Sequence, residues 1–170
     1  MIFEQKQKKD NFLDKLPDVV DKETFDLQKK LIEESGEENI KHSEICDCEF
    51  SDIQMCFSYT LGIPDDILRN NYFNYRGFLK FLIDDKSLVE DDSGEFVLYG
   101  KYPNFEHMGL RAENNKVISK FGSGHVWKHE LDKISEFYGK YNFYNLLDDV
   151  DIIKKVKEYS NKIGYKNQTE

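Results

Sequence analysis

The sequence predicts an α+β fold, in which helices pack on a small antiparallel sheet and a further helix closes the domain. Three observations carry this prediction. Apolar residues recur at helical spacing near residues 21–36 and 74–83, which predicts two N-terminal helices. Between Phe96 and Tyr144 the spacing changes toward the alternation of strands. After Asp149 a helical stripe returns, so the order is helices, then strands, then a closing helix.

The predicted helices have residues suited to their ends. Asp21 is a candidate N-cap for the first helix, and Gly36 can adopt the left-handed conformation that ends it. For the last helix, Asp148 or Asp149 is the predicted cap and Gly164 the predicted end. The apolar stripe of this last helix is the clearest in the chain and consists of Val150, Ile153, Val156 and Tyr159.

The chain of 170 residues is predicted to form a single domain over residues 21–165, flanked by an N-terminal arm at 1–20 and a tail at 166–170. The arm is charged and weakly patterned, and Pro17 interrupts any helix through it. Residues 37–52 are acidic and irregular, so we expect a loop there. In the strand region, Asn114 and Asn115 predict a hairpin turn, because asparagine tolerates positive φ angles.

The charge and hydropathy of the chain limit its partners and location. The formal net charge of −9 disfavours a nucleic-acid partner, because phosphates would be repelled. No apolar run is long enough for a membrane span, and the first residues lack the apolar core of a signal peptide. We therefore expect no membrane partner and a cytoplasmic location, or the host cytoplasm for a phage-encoded or delivered protein. The single alanine, Ala112, beside abundant Lys, Asn and Ile favours an AT-rich bacterial or phage genome.

The candidate chemistry centres on a cysteine at the predicted start of a short helix. Cys56 precedes an apolar turn that ends at Gly62. A helix N-terminus lowers the pKa of a cysteine thiol and directs backbone N–H groups at the oxyanion that nucleophilic attack creates. Downstream, His107 begins a predicted strand, and the hairpin places it roughly opposite Ser119 on the next strand. These residues are the expected nucleophile, general base and orienting group of a thiol hydrolase.

This order of a cysteine at a helix start, a histidine beginning a strand and a polar residue on the next strand resembles the papain-like amidohydrolases of the NlpC and CHAP type. His107-Met108-Gly109-Leu110, followed by a turn and Lys116-Val117-Ile118-Ser119, matches the layout of their histidine segment. A poorly characterised bacterial and phage group, whose cysteine segment reads Asn-Cys-aliphatic-x-aromatic-Ala-Leu-Gly, is more similar still. That likeness spans residues 53–144 and is carried by Cys56-Phe57-Ser58-Tyr59-Thr60-Leu61-Gly62, Ser119-Lys120-Phe121-Gly122, His129 and Tyr138-Gly139.

The resemblance implies a papain-like fold and a cysteine-dependent hydrolase or acyltransferase acting on an amide, isopeptide or thioester bond. Cys56 would attack the carbonyl, His107 would act as base and then as acid, and Ser119 would orient His107. The expected substrate is a peptide or protein, and no cofactor or metal is expected. The candidate oxyanion and substrate-binding residues are Gln54, Tyr59, Lys120 and His125.

Other interpretations of these residues remain open. Cys56 is compatible with a small buried apolar residue, and His107 with an ordinary sheet residue. His42, Cys46 and Cys48 have a spacing that could serve a metal site, although a second matching ligand pair is lacking. A different class of function is a non-catalytic inhibitor or immunity-type protein, whose acidic surface would bind a basic protein partner.

Overall fold

The computed structural model describes residues 18–35, 44–46, 48–132, 134 and 138–163. Over these residues the fold is α+β, with helices packed on one open antiparallel sheet, as the sequence predicts. The predicted arm up to residue 17, the predicted helix ends at Gly36 and Gly164, and the C-terminal tail lie outside the described residues and stay predictions.

The sheet has seven strands in the order β1-β6-β5-β4-β3-β7-β2, and every neighbouring pair is antiparallel. Four consecutive strands, β3 to β6, form a meander, and β7 returns to lie beside β3. The bounds are β1 (Glu44–Cys46), β2 (Leu88–Glu90), β3 (Phe96–Lys101), β4 (Asn104–Ala112), β5 (Lys116–Lys120), β6 (Val126–Glu130) and β7 (Tyr141–Leu146). The predicted strand region between Phe96 and Tyr144 is therefore confirmed.

The helices are α1 (Lys22–Ser35), α2 (Cys56–Thr60), α3 (Asp65–Asn70), α4 (Tyr75–Asp84) and α5 (Ile152–Lys162). The predicted cap of α1 is confirmed, because Asp21 Oδ1 accepts a hydrogen bond from the Thr24 N–H at 2.8 Å. No helix among the described residues combines the length and apolar character that crossing a membrane requires.

The predicted cap of the last helix is wrong. Asp151, and neither Asp148 nor Asp149, accepts the capping hydrogen bond, from the Lys154 N–H at 3.0 Å. The two earlier aspartates are held in a turn by a bond from the Val150 N–H to the Leu147 carbonyl at 3.0 Å. Each of these aspartates is a suitable cap by residue type, so only the turn that precedes the helix decides between them.

The loop predicted over residues 37–52 is also wrong in part, because Glu44–Cys46 form β1 and pair with β6. A second strand, β2, pairs with β7 and has no counterpart in the predicted elements. Both strands have three residues and lie at the two edges of the sheet. A segment this short shows no alternation, so pattern cannot distinguish it from a loop.

The hairpin between β4 and β5 turns where the sequence predicts. Asn114 and Asn115 have φ angles of 58° and 56°, the left-handed region that a two-residue turn of this kind requires. The ladder pairs Leu110 with Ile118 and continues toward the turn to Ala112 and Lys116. This hairpin brings β4, with His107, alongside β5, with Ser119.

Two buried apolar clusters lie on opposite faces of the sheet. The first cluster fills the space between one face and helices α2–α5, and it includes Leu98 and Met108. The second cluster covers the other face and includes Val97 and Tyr99. Successive residues of a strand point to opposite faces of the sheet. Leu98 of β3 therefore marks the face of the first cluster, and its neighbours Val97 and Tyr99 mark the face of the second.

Candidate functional site

Cys56 is the first residue of α2, as predicted, and the turn before it is well ordered by side-chain hydrogen bonds. Ser51 Oγ accepts from the Gln54 N–H at 2.9 Å, and Ser58 Oγ accepts from the Met55 N–H at 2.9 Å. After the helix, Gly62 has a φ angle of +66°, which confirms the predicted glycine end. The serines thus fix the backbone that enters α2, while Met55 at the N-cap position makes no side-chain capping hydrogen bond.

Helix α2 is anchored to β4 at Met108, the residue after His107. The Arg111 N–H donates to the Glu95 carbonyl before β3, so the main-chain groups of Met108, three residues earlier, face the β5 side. There the ladder with β5 starts only at Leu110. The Thr60 hydroxyl instead donates to the Met108 carbonyl at 3.3 Å, in a fully buried setting. This bond fixes α2 against the strand that carries His107.

The Cys56 thiol is buried and protonated in this structure. The side chain is 8% exposed and belongs to the first cluster. Burial raises the pKa of the thiol to about 11, because the thiolate would lose its hydration, while the backbone N–H groups of Met108 and Phe57 act in the opposite direction. The expectation that the helix start lowers this pKa is therefore wrong for the resting protein. Desolvation of the thiolate raises the pKa of Cys56 more than the backbone N–H groups at the start of this short helix lower it.

The His107 imidazole is also buried and uncharged. It is 2% exposed, and it is stacked between Tyr138 at 4.7 Å and Phe121 at 5.0 Å between ring centroids. Burial lowers the pKa of His107 to about 3, with a smaller contribution from His129. Its Nε2 atom is buried and has no hydrogen-bond partner among the described residues.

The Cys56 thiol lies against the backbone of Met108, the residue after His107, but the thiol and the imidazole pack on different faces of the sheet. Cys56 packs in the first cluster with Met108. The His107 ring instead neighbours Tyr99 of the second cluster, with 5.8 Å between the ring centroids. No hydrogen bond joins Cys56 Sγ to the His107 ring within the described part of the chain. The resting structure therefore holds the predicted pair apart.

Ser119 does not bond His107, as the sequence interpretation has it, but His129. Ser119 Oγ lies 2.7 Å from His129 Nε2, and both side chains are buried. In the sheet, Ser119 pairs with Trp127 and Val117 pairs with His129, so the contact is a diagonal one between β5 and β6. The β4–β5 hairpin could not reveal this bond, because His129 lies on β6.

Two of the predicted oxyanion and substrate-binding residues lie on or next to α2. The Gln54 side-chain amide donates to the Ile63 carbonyl at 3.3 Å and so helps to close the turns around α2. Tyr59 is partly buried, and its raised pKa reflects burial, with smaller contributions from Cys48 and Cys46. Tyr59 therefore faces the β1 side of the helix.

Of the other two predicted residues, His125 contacts α1, and Lys120 bonds the loop between β5 and β6. The buried Lys120 Nζ donates to the Gly124 carbonyl at 2.6 Å. His125 Nε2 lies 2.8 Å from the Phe25 carbonyl, and its ring stacks on that of Phe25 at 3.7 Å. Lys120 Nζ and His125 Nε2 thus make hydrogen bonds within the protein, and a role in substrate binding stays a prediction.

A surface cavity is lined by chain neighbours of both members of the predicted pair, although neither Cys56 nor His107 lines it. It measures about 280 Å³, and its lining includes Phe57 and Glu106, which are the chain neighbours of Cys56 and His107. Glu106 is the extra residue of a β-bulge, because Tyr99 pairs with His107 while Gly100 pairs with Phe105. The remaining lining residues are Asn74, Tyr75, Arg76 and Phe105.

The proposed metal ligands do not form a site in the part of the chain that the structure describes. Within those residues, no three His, Cys, Asp or Glu side chains are grouped to hold a metal ion. Cys46 and Cys48 are partly buried free thiols, and His42 lies outside the described residues.

No family model matches this chain, and neither a curated protein nor a solved structure matches it. The likeness to papain-like amidohydrolases therefore rests on the motifs of the sequence alone. Two elements of the site have no clear signal in those motifs: the Thr60 anchor to β4 and the Ser119–His129 bond. The one signal in the sequence is that Thr60 and Ser119 are polar residues within otherwise apolar segments, where a buried hydroxyl needs a hydrogen-bond partner.

Proposed function

We propose that this protein is a papain-like cysteine hydrolase or acyltransferase that cleaves an amide, isopeptide or thioester bond of a peptide or protein. Cys56 is the nucleophile and His107 the general base and acid of this proposal. One observation carries it: the cavity of about 280 Å³ is lined by Phe57 and Glu106, the immediate neighbours of the two residues. A substrate carbonyl at the inner end of this cavity would lie beside β4, where α2 is anchored.

The β-bulge supports the proposal because its extra residue, Glu106, is the chain neighbour of His107. Bulges re-aim side chains and occur preferentially beside active sites. Here the irregular register lies between Tyr99 and Gly100, opposite Glu106 and His107. His107 still pairs with Tyr99, but the regular ladder is interrupted at Glu106 beside it, where we propose that the strand adjusts as His107 turns toward the thiol.

The reaction starts from a neutral pair, since the thiol is protonated and the imidazole is not. Substrate entry brings the imidazole toward Cys56, and the S–H proton passes to it as the sulfur attacks the carbonyl carbon. The imidazolium then protonates the leaving amine or thiolate, and an acyl thioester remains on Cys56. Water, deprotonated by His107, attacks the thioester carbon, the C–S bond breaks and the thiol regains its proton.

Backbone N–H groups around Cys56 are suited to the oxyanion. Those of Met108 and Phe57 already favour negative charge at the sulfur, as their effect on the Cys56 pKa indicates. The N–H of Cys56 itself contributes in the same direction. Donors fixed by the fold stabilise charge that develops during attack without reorganising, which makes them effective at an oxyanion. We assign this role to the backbone rather than to the Gln54 side chain, which bonds Ile63.

An activated ester tests the proposal without knowledge of the substrate. The folded protein is incubated with 4-nitrophenyl acetate at pH 7.5, and the acetylated residue is mapped by mass spectrometry. We expect acetylation of Cys56 with release of 4-nitrophenolate, and a rate about a hundredfold lower in His107→Gln. Cys48→Ser is the matched control and should react as the unaltered protein does. Absence of acetyl at Cys56, or an unchanged rate in His107→Gln, would refute the proposal.

A second candidate is the acidic interaction protein, which binds a basic protein partner without catalysis. The 8% exposure of Cys56 and the separation of the thiol from His107 favour it, since neither residue is poised to react. Under this candidate the net charge of −9 supplies the attraction. The same ester experiment decides, because this candidate predicts no transfer to Cys56. For either function we propose a location in the cytoplasm or in a host's cytoplasm.

A further inference from the structure

Three buried polar side chains, Ser119, His129 and His107, lie on the face of the sheet that the second cluster covers. Ser119 is bonded to His129, while His107 on the same face has a buried ring nitrogen without a partner in the described residues. Phe121 contacts both imidazoles, at 5.0 Å from His107 and 5.6 Å from His129. The two histidines therefore flank the same ring, with Ser119 two residues before it.

The direction of the Ser119–His129 bond follows from the other nitrogen of His129. His129 Nδ1 lies 3.0 Å from the Glu130 carbonyl, and a carbonyl can only accept. Nδ1 therefore carries the proton. Burial lowers the pKa of His129, which keeps the ring neutral, so Nε2 has no proton and must accept from the Ser119 hydroxyl.

A serine hydroxyl that has donated its proton still offers two acceptor lone pairs. Ser119 is completely buried, so these lone pairs have no bulk water to bond. Gly109 lets β5 pack closely on β4 at this point, because a Cβ added at Gly109 would clash with Val117 Cγ1 and would lie 3.0 Å from Ser119 Cβ. Gly109 and His107 share a face of β4, so Ser119, which contacts Gly109, lies on the same face of the sheet as His107.

We propose that His129 is a positioning residue that holds the Ser119 hydroxyl as an acceptor for the Nε2–H of His107. A buried N–H without a hydrogen-bond partner destabilises the protein. A bond from the His107 Nε2–H to the Ser119 hydroxyl, direct or through one bound water, removes this destabilisation. With its proton fixed on Nε2, His107 keeps Nδ1 free as the basic nitrogen for the Cys56 thiol. The role of His129 in positioning rests on the proposed function. The assigned tautomers, Nε2–H for His107 and Nδ1–H for His129, do not depend on catalysis.

Tautomers measured by NMR test the assignment on the unaltered protein. Long-range ¹H–¹⁵N spectra of ¹⁵N-histidine-labelled protein at pH 7 distinguish a protonated Nε2 from a protonated Nδ1. We expect His107 in the Nε2–H form and His129 in the Nδ1–H form. A His107 ring in the Nδ1–H form, or a His129 ring in the Nε2–H form, overturns the proposal. This result does not depend on whether Cys56 reacts.

Two variants of His129 then separate positioning from packing. His129→Gln retains an acceptor for the Ser119 hydroxyl, whereas His129→Leu removes it and fills similar space. We expect His129→Gln to keep the His107 tautomer and the rate of Cys56 acetylation within about twofold. His129→Leu should shift His107 toward the Nδ1–H form and slow acetylation about tenfold. Equal behaviour of the two variants, in tautomer and in rate, contradicts the role given to His129. Tautomers that follow the expectation, together with no acetylation in any protein, would refute the proposed function and leave the proton arrangement intact.

Discussion

At the scale of single residues, the site depends on buried polar groups whose partners decide their state. Cys56 stays protonated and His107 stays neutral because each is removed from water. Thr60 and Ser119 are buried as well, and each makes one specific hydrogen bond, to Met108 and to His129. We therefore expect small changes at these positions to alter the free energy of unfolding and, under the proposed function, the reactivity of Cys56.

The first residue-scale prediction concerns the titration of Cys56. Since burial raises its pKa to about 11, the rate of alkylation by iodoacetamide should rise continuously from pH 7 to pH 10. A free cysteine, with a pKa of about 8.5, should level off within that range. The measurement is the rate of modification of Cys56 by peptide mapping at each pH, with a cysteine peptide as control. A plateau for Cys56 below pH 8 would show an activated resting thiolate and contradict the structure.

The second residue-scale prediction concerns the hydrogen bond from Thr60 to Met108, which anchors α2 to β4. Thr60→Val keeps the shape of the side chain but leaves the buried Met108 carbonyl without its donor, so we expect a loss of about 1–2 kcal/mol in the free energy of unfolding. Thr60→Ser keeps the hydroxyl and should lose less. Urea unfolding at pH 7 measures both. Equal losses in the two variants would mean that packing of the methyl group, and not the hydrogen bond, fixes the helix.

At the scale of elements, the residue pattern predicts those that have a stripe, a cap or a turn signal. α1, the β4–β5 hairpin and the strands between Phe96 and Tyr144 follow from such signals. The start of α5 does not, because several aspartates are equally good caps. The edge strands β1 and β2 do not either, since three residues show no period. Their positions are set by pairing with β6 and β7, which is tertiary information.

The β4–β5 turn allows an element-scale prediction. Asn114 and Asn115 both have positive φ angles, and glycine is the residue that adopts them with the least strain. Asn115→Gly should therefore stabilise the protein by about 0.5 kcal/mol, and Asn115→Val should destabilise it by about 1–2 kcal/mol. Thermal or urea unfolding of the two variants measures the difference. A valine variant as stable as the glycine variant would contradict the left-handed turn.

At the scale of the whole molecule, the sheet separates two buried environments, and the candidate site involves both. The sequence places Cys56 at a helix start and Ser119 in a strand, as the structure has them, but His107 lies inside β4, which begins at Asn104, and does not begin it as predicted. Nor does the sequence show on which face each side chain lies. That depends on the register at the bulge beside Tyr99 and Gly100, which a one-residue change would invert. The actual partner of Ser119 depends on β6, a strand outside the predicted hairpin.

Buried neutral histidines also determine how the whole fold responds to acid. Burial lowers the pKa of His107 to about 3, and it lowers the pKa of His125 and of His129. In the unfolded chain a histidine has a pKa of about 6.5. Below that pH the unfolded state binds more protons than the folded state, so stability present above pH 6.5 is lost as the pH falls toward 3.

For His107 alone this loss amounts to about 1 kcal/mol per pH unit below pH 6. His107→Phe keeps an aromatic ring between Phe121 and Tyr138 but cannot take up a proton. We expect its free energy of unfolding to decrease less between pH 7 and pH 5 than that of the unaltered protein. Urea unfolding at both pH values provides the comparison. An identical decrease in the two proteins would mean that His107 is not buried in its neutral form.

The central claim is that Cys56 and His107 act as one unit, although the resting structure keeps them on different faces. The most direct measurement is the rate of 4-nitrophenyl acetate turnover in Cys56→Ser, His107→Gln and the double variant. If the two residues act together, the double variant is no slower than the slower single variant, because either change alone removes the same pathway. If the effects multiply, or if His107→Gln reacts at the full rate, the two residues work independently and the account is contradicted.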